Sequence, residues 1–228
     1  MSDMQYLHPP TELEELAARG DYLYLRNTKS VGQEVWELYQ CHDGSVVWRS
    51  ELEDESGHVL SHLLLNPERR PDRLQIRLRP SGQTDRQAVY TFFDDNVMMV
   101  QHGRRTILDL PPDYTLMAVD IGSRALALPP VDWGAATPTP QMVFTVQLRD
   151  DAFWSKPVKW TAYPLGTGLS VTLGDTPYQT RAVRLSVPGL PDQRGWFDSQ
   201  GIPLRWQSGE GENAWEAWLT HYVRLHDT

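Results

Sequence analysis

Apolar and polar side chains alternate with a period of two along most of the chain. The clearest stretch is residues 73–79, where Leu74, Ile76 and Leu78 alternate with arginine and glutamine. A period of two is typical of a β-strand with one buried face. Turn-forming pairs such as Asp43-Gly44 separate further segments of this kind at a spacing of about ten residues. The pattern predicts an all-β chain built from antiparallel hairpins.

One segment near the start has a different period. Thr11 and Glu14 form a capping-box pattern, and the apolar residues around them are spaced as on one face of a helix. Gly20 then supplies a helix stop. These features predict a short N-terminal helix before the first strand.

The last segment, 213–225, fits two structures. Its tryptophan and leucine residues lie at helical spacing, but they also fit one face of a strand. Tryptophan, tyrosine, valine and threonine favour extended structure, and the Gly-Glu-Gly-Glu stretch before the segment is typical of a hairpin loop. We therefore predict a strand here.

The prolines between residues 129 and 140 mark the best candidate linker. About seven candidate strands lie on each side, which suits one large β domain better than two small ones. The prediction is a single β-rich domain, 1–228, with pseudo-halves 21–128 and 141–226. Its roughly 14 strands form a curved antiparallel sheet, either a half-barrel or barrel-like, because sheet twist makes a concave face natural at that strand number.

Charge and cysteine content narrow the range of functions. Lysine and arginine number 21 and acidic residues 30, a net charge of −9, which disfavours a nucleic-acid partner. The single cysteine, Cys41, allows neither an intrachain disulfide nor a multi-cysteine metal site. Residues 1–16 lack the apolar core of a signal peptide, and no apolar run has the length of a transmembrane segment. A cytoplasmic protein is the expectation.

Motifs for metal, cofactor or nucleophilic chemistry are not found. His58 and His62 are four residues apart, but no glutamate lies between them as in a zinc protease. The chain has no Gly-x-Ser-x-Gly elbow, and its glycine pairs precede no predicted helix that would hold a phosphate. We therefore predict no metal and no cofactor. Carboxylate pairs such as Asp94-Asp95 leave acid–base hydrolysis open, because the sequence does not show which carboxylates meet in space.

Nine tryptophans are the most informative feature of the composition. Many lie in predicted strands, where an indole ring serves equally as core or as the lining of a concave surface. The predicted lining residues are Trp36, Trp48, Phe92, Trp160 and Trp206, with Arg205 as an anchor for an anionic headgroup. Alternation along the strand places Arg205 on the face opposite Trp206, which makes it the weakest of these assignments.

Two stretches of the sequence carry a family resemblance. Residues 29–36 open the long meander, and residues 196–206, with Asp198, Gly201, Pro203 and Leu204, lead into the last strand. With the N-terminal segment, they resemble uncharacterised bacterial proteins that have a half-barrel like the lipoprotein-localisation factors. The resemblance implies a curved sheet around an apolar cavity and an acyl chain as cargo.

These observations lead to one functional expectation and two alternatives. The expectation is non-enzymatic binding of a lipid or other apolar small molecule on a concave, aromatic-lined β surface. The first alternative is a hydrolase that acts on a glycan or lipid through an Asp/Glu pair. The second is a structural or interaction protein whose aromatic residues are core. The sequence leaves the oligomeric state open.

Overall fold

The computed structural model describes residues 4–55, 57–111, 113–118, 120, 138–149, 152–186, 191–211 and 214–225. These residues form one sheet of 15 strands. The strands are β1 (Glu14–Arg26), β2 (Lys29–Cys41), β3 (Val46–Asp54), β4 (Gly57–Leu65), β5 (Pro71–Pro80), β6 (Arg86–Phe92), β7 (Asn96–Gln101), β8 (Arg104–Asp109), β9 (Tyr114–Met117), β10 (Thr139–Arg149), β11 (Ala152–Leu173), β12 (Thr176–Ser186), β13 (Gln193–Phe197), β14 (Pro203–Ser208) and β15 (Trp215–Arg224).

Strands that are consecutive in the chain are neighbours in the sheet, in one run from β1 to β8 and a second from β9 to β15. The two runs are joined by pairing of β1 with β15. The order across the sheet is β8-β7-β6-β5-β4-β3-β2-β1-β15-β14-β13-β12-β11-β10-β9. Neighbouring strands are antiparallel except β9 and β10, which are parallel. The sheet is all-β and curved, as predicted, and its segment 213–225 contains strand β15. Residues 129–137 of the predicted linker lie outside the described residues, and 139–140 begin β10.

The predicted N-terminal helix is wrong, and the described residues contain no α-helix. The capping-box contact does form, because the Thr11 backbone N–H donates to the Glu14 carboxylate at 3.1 Å. It closes a single turn, from which Glu14 starts β1. Pairing with β2 and β15 satisfies the backbone of β1 on both sides, whereas a helix this short is marginal by itself. The part of the chain that the structure describes contains no helix able to cross a membrane.

The sheet has an inner and an outer face that can be followed from strand to strand. Residues opposite each other in a ladder point to the same side, and neighbours along a strand point to opposite sides. We call the side that carries Trp36 the inner face. Ladder partners can be followed from Trp36 on β2 through β1 and β15 to β14, where Trp206 lies on the inner face. The same path continues through β13, β12 and β11 to β10, where Val143 also lies on the inner face. Phe144, next to Val143, therefore lies on the outer face.

The two ends of the sheet overlap as a spiral. Phe144, on the outer face of β10, packs edge-on against Tyr90 and Phe92, which lie on the inner face of β6. The Tyr90 hydroxyl also lies 2.8 Å from the Ser155 hydroxyl on the outer face of β11. The β9–β10 end thus passes inside the strands near β8, and only residues 110–113 separate β8 from β9 along the chain.

The spiral explains why β10 is buried on both faces. Val143, Phe144, Thr145 and Val146 are all at most 1% exposed. Strands covered on both sides carry near-continuous apolar runs instead of a clean alternation. One apolar cluster runs through the overlap and includes most of the inner-face rings.

A second layer covers part of the outer face. Residues 4–13, called here the N-terminal segment, cross the outer side of β2 to β5. Arg49, which is 3% exposed, donates to the His8 carbonyl at 3.1 Å and to the Glu14 carboxylate at 2.7 Å. His8 is also hydrogen-bonded to Gln75 at 2.8 Å. These contacts fix the segment on the sheet and bury Arg49 beneath it.

Candidate ligand-binding cavity

The five aromatic residues predicted as lining all lie on the inner face, where they are packed core. Trp36, Trp48, Trp160 and Trp206 are at most 2% exposed, and Phe92 is 6% exposed. The Trp36 and Trp48 rings stack with their centroids 4.6 Å apart. Trp206 packs edge-on against Phe197 and donates its indole N–H to Gln193 at 3.1 Å. The structure therefore brings these rings into the protein's own interior packing.

Arg205 lies on the opposite face from Trp206. Its guanidinium sits over the rings of Trp196 and Trp218, at 4.7 and 4.3 Å from their centroids, and pairs with Glu216 at 3.0 Å. These neighbours occupy the outer face of β13 to β15, so Arg205 is separated from Trp206 by the sheet. It stabilises this outer surface by stacking and ion pairing.

A cavity of about 520 Å³ opens on the outer face, between the start of the N-terminal segment and strands β1, β2 and β15. We call it the outer cavity. The volume lies within the range of small-molecule pockets, roughly 300–1,000 Å³. Its lining residues are Met4, Tyr6, Arg19, Gly20, Asp21, Gln33, Val35, Trp36, Glu37 and His221.

Strand pairing brings the charged residues of the outer cavity together. Arg19 is opposite Glu37 in the β1–β2 ladder, and Asp21 is opposite His221 in the β1–β15 ladder. The Asp21 carboxylate lies 3.5 Å from His221 Nδ1. Because the β1–β15 ladder joins residues about 200 positions apart, this group of side chains has no sequence signature, and sequence reasoning missed it.

Two tyrosine hydroxyls hold the Glu37 carboxylate. Tyr6 donates to Glu37 Oε2 at 2.8 Å and Tyr39 donates to the same oxygen at 2.6 Å. Burial raises the pKa of the Tyr39 hydroxyl above its ordinary value, and the nearby Glu37 carboxylate raises that pKa further. The pKa of Tyr6 is raised for the same two reasons. Both hydroxyls therefore stay protonated and act as donors near neutral pH.

Arg19 differs from the other charged residues of the outer cavity. Its Nε atom is buried and has no hydrogen-bond partner, and the guanidinium forms no ion pair with any described residue. A buried donor without a partner costs free energy that a bound acceptor restores. The outer cavity therefore contains an unused cationic donor, and its lining residues include the apolar Met4 and Val35.

A smaller cavity of about 170 Å³ lies under the N-terminal segment, between β3, β4 and β5. Its polar lining includes His8 and His62, whose ring centroids are 5.5 Å apart. Burial, and then the charges of Arg49, His8 and Arg73, lower the pKa of His62 to about 3. Among the described residues, no group of three or more histidine, cysteine or acidic side chains is arranged to hold a metal ion.

Comparison with known proteins supports the fold and no function. No family model and no curated protein matches the sequence. A solved structure, the crystal structure of a β-barrel-like protein of the domain of unknown function DUF1849 from Brucella abortus, is similar with a TM-score of 0.60 and 7% identity. The match covers 94% of this chain and 100% of the Brucella chain. The chain therefore has the fold of an uncharacterised bacterial β-barrel-like protein.

Proposed function

We propose that this protein binds a small amphipathic molecule without transforming it, and that the outer cavity is the binding site. The observation that carries the proposal is a cavity of about 520 Å³ in which an unpartnered arginine lies beside apolar side chains. In sites for small molecules, a few polar groups fix the orientation of the ligand.

Arg19 is the lining residue that would bind an anionic headgroup. Glu37 already accepts two tyrosine hydroxyls, and Asp21 is paired with His221. Arg19 is the cation left for a ligand, and a guanidinium binds carboxylate or phosphate through two parallel hydrogen bonds. A fatty acid or a similar lipid-like anion fits this chemistry.

The proposed site lies on the opposite face of the sheet from the one that the family resemblance implies. The lipoprotein-localisation factors hold acyl chains on the inner side of their curved sheet, whereas here the inner face is occupied by the packed rings of Trp36, Trp48, Trp160 and Trp206. A lipid-like ligand therefore finds its space on the outer side, under the N-terminal segment. The similarity to the Brucella protein supports the fold alone.

Isothermal titration calorimetry with sodium dodecanoate, below its micelle concentration, tests the proposal. We expect saturable binding to the wild type. The affinity of Arg19→Gln should be at least about tenfold lower than that of the wild type, because a charge-assisted hydrogen bond contributes about 1.5–3 kcal/mol. Dodecanol, which has the same chain and no charge, should bind equally to both proteins. Arg194→Gln, an exposed arginine on β13, is the matched control and should bind dodecanoate like the wild type.

Two results would contradict the proposal. Absence of binding for both dodecanoate and dodecanol would favour a purely structural or interaction role. Equal dodecanoate affinity of wild type and Arg19→Gln would remove the outer cavity as the site. If Trp206→Phe loses dodecanoate binding and Arg19→Gln keeps it, the binding site lies on the inner face.

A hydrolase remains the second candidate because two carboxylates line the same cavity. Asp21 and Glu37 project from the outer faces of adjacent strands, and one residue pair, Gly20 and Trp36, lies between them in the ladder. Acid–base hydrolysis of a glycosidic bond typically uses a pair of carboxylates. Turnover of nitrophenyl esters or glycosides by the wild type, lost in both Asp21→Asn and Glu37→Gln, would establish it.

A further inference from the structure

Strand β8 is the open edge of the sheet. It pairs only with β7 among the described strands, and five of its six residues are exposed. The other edge strand, β9, lies inside the spiral, with Thr115, Leu116 and Met117 all buried. An exposed edge with free backbone groups is a template for pairing with another strand.

The turn before β8 determines which backbone groups face outward. His102 and Gly103 both have positive φ, 51° and 72°, and form the two-residue turn of a tight hairpin. The residues that flank such a turn, Gln101 and Arg104, are hydrogen-bonded to each other. Because hydrogen-bonded and free positions alternate along an antiparallel pair, the backbone groups of Arg105, Ile107 and Asp109 point away from β7.

These three positions are complementary to a second copy of themselves. In an antiparallel pair centred on Ile107, Arg105 is opposite Asp109 of the partner subunit, and the same contact recurs by symmetry. Ile107 then meets its own copy, and in the described monomer this side chain is 64% exposed. Opposite charges and apolar pairs facing each other across strands stabilise a sheet.

Charge also favours this edge as the place where two copies meet. The chain as a whole carries a net charge of −9, so most surfaces of two copies repel each other. Strand β8 contains both signs of charge, and pairing centred on Ile107 places each Arg105 opposite the partner's Asp109, so the contact brings opposite charges together.

We propose that the protein forms a two-fold symmetric dimer by antiparallel pairing of β8 with β8 of a second copy. The pairing joins two sheets of 15 strands into one continuous sheet. A two-fold symmetric contact uses the same strand of both chains, so the assembly stops at a dimer.

Sedimentation velocity over a range of protein concentrations tests the dimer. The wild type should move from 26.1 kDa towards twice that mass as concentration rises. Arg105→Glu and Asp109→Arg should each raise the dimer dissociation constant by roughly tenfold or more, because each places like charges opposite each other twice. The double variant Arg105→Glu/Asp109→Arg exchanges the charges and should restore the wild-type dissociation constant.

A second variant blocks the backbone instead of the charges. Ile107→Pro removes an outward N–H, which an edge strand tolerates, and should leave a folded monomer. Arg194→Glu, away from β8, is the charge control and should dimerise like the wild type. A wild type that stays at 26.1 kDa at every concentration overturns the proposal. So does a double variant as monomeric as the single ones, or an Ile107→Pro variant that dimerises normally.

Discussion

His62 shows how a single residue couples this fold to pH. It lies on the outer face of β4, beneath the N-terminal segment, with Arg49 opposite it in the β3–β4 ladder. Burial, and then the positive charges around it, lower the pKa of His62 to about 3. The folded protein therefore keeps this imidazole neutral at pH values where the unfolded chain, with a pKa near 6.5, protonates it.

The first prediction concerns stability at acid pH. As pH falls from 6.5 towards 3, the unfolded chain binds a proton at His62 that the folded chain does not, so the free energy of unfolding decreases. The slope from this group is at most about 1.4 kcal/mol per pH unit. Urea titrations of wild type and His62→Gln at several pH values measure it. The difference in the free energy of unfolding between the two proteins should change with pH below 6.5 and stay constant above pH 6.5.

His42→Gln serves as the control, because His42 is exposed in the β2–β3 turn. Its urea midpoints should follow those of the wild type at every pH. Equal pH dependence of the wild type and His62→Gln would show that His62 does not resist protonation in the folded state.

The candidate site was predictable residue by residue only in part. Alternation along β14 placed Trp206 and Arg205 on opposite faces, as the structure has them. It could not tell whether inner rings line a hollow or fill it, because that depends on the overlap of β10 with β6. Arg19 and His221 gave no signal, since their neighbourhood exists only once β1 pairs with β15.

At the scale of elements, local patterns identified strands well where hairpins were short. The predicted strand over 73–79 lies within β5, and the last segment forms β15. The capping-box pattern at Thr11 failed because its hydrogen bond is satisfied by one turn, and the sheet then supplies partners for the residues that follow. Strand β11, with 22 residues, exceeds the spacing of about ten residues that the turn pattern predicted, because Gly166 and Gly168 lie at register shifts within one strand and do not end it.

The second prediction concerns the attachment of the N-terminal segment. Arg49→Met keeps the apolar stem of the side chain but leaves the Glu14 carboxylate without its partner. We expect the free energy of unfolding to decrease by about 3 kcal/mol, as when one member of a buried ion pair is removed. Hydrogen exchange measured by mass spectrometry should accelerate in residues 4–13. Arg194→Met should change neither quantity, and unchanged exchange in Arg49→Met would contradict the role given to Arg49.

At the scale of the whole molecule, the sequence predicted a curved antiparallel sheet but not the overlap of its two ends. The structure has 15 strands, and β9 and β10 are parallel. Pairing of β1 with β15 and packing of β10 against β6 both join parts of the chain that are distant in sequence. Hydrophobic periodicity is local, so it contains no information about either contact.

The third prediction is that the molecule unfolds in one step. Because the strands share one sheet and one apolar cluster, tryptophan fluorescence and far-UV circular dichroism should give coincident urea transitions. Phe144→Ala, in the overlap, should lower the free energy of unfolding by about 3–5 kcal/mol without separating the transitions. The exposed Phe93 provides the matched control, Phe93→Ala, with a change below about 0.5 kcal/mol. Two resolved transitions would show that the predicted halves are separate folding units.

The inward turn of β9 and β10 has a consequence for assembly. Within the part of the chain that the structure describes, each molecule offers one strand for addition, since its other terminal strand is enclosed by its own β6. Growth of a fibre by strand addition needs two such strands per molecule. A molecule with one available edge strand can pair with one partner only, so the spiral itself protects this large sheet from polymerisation.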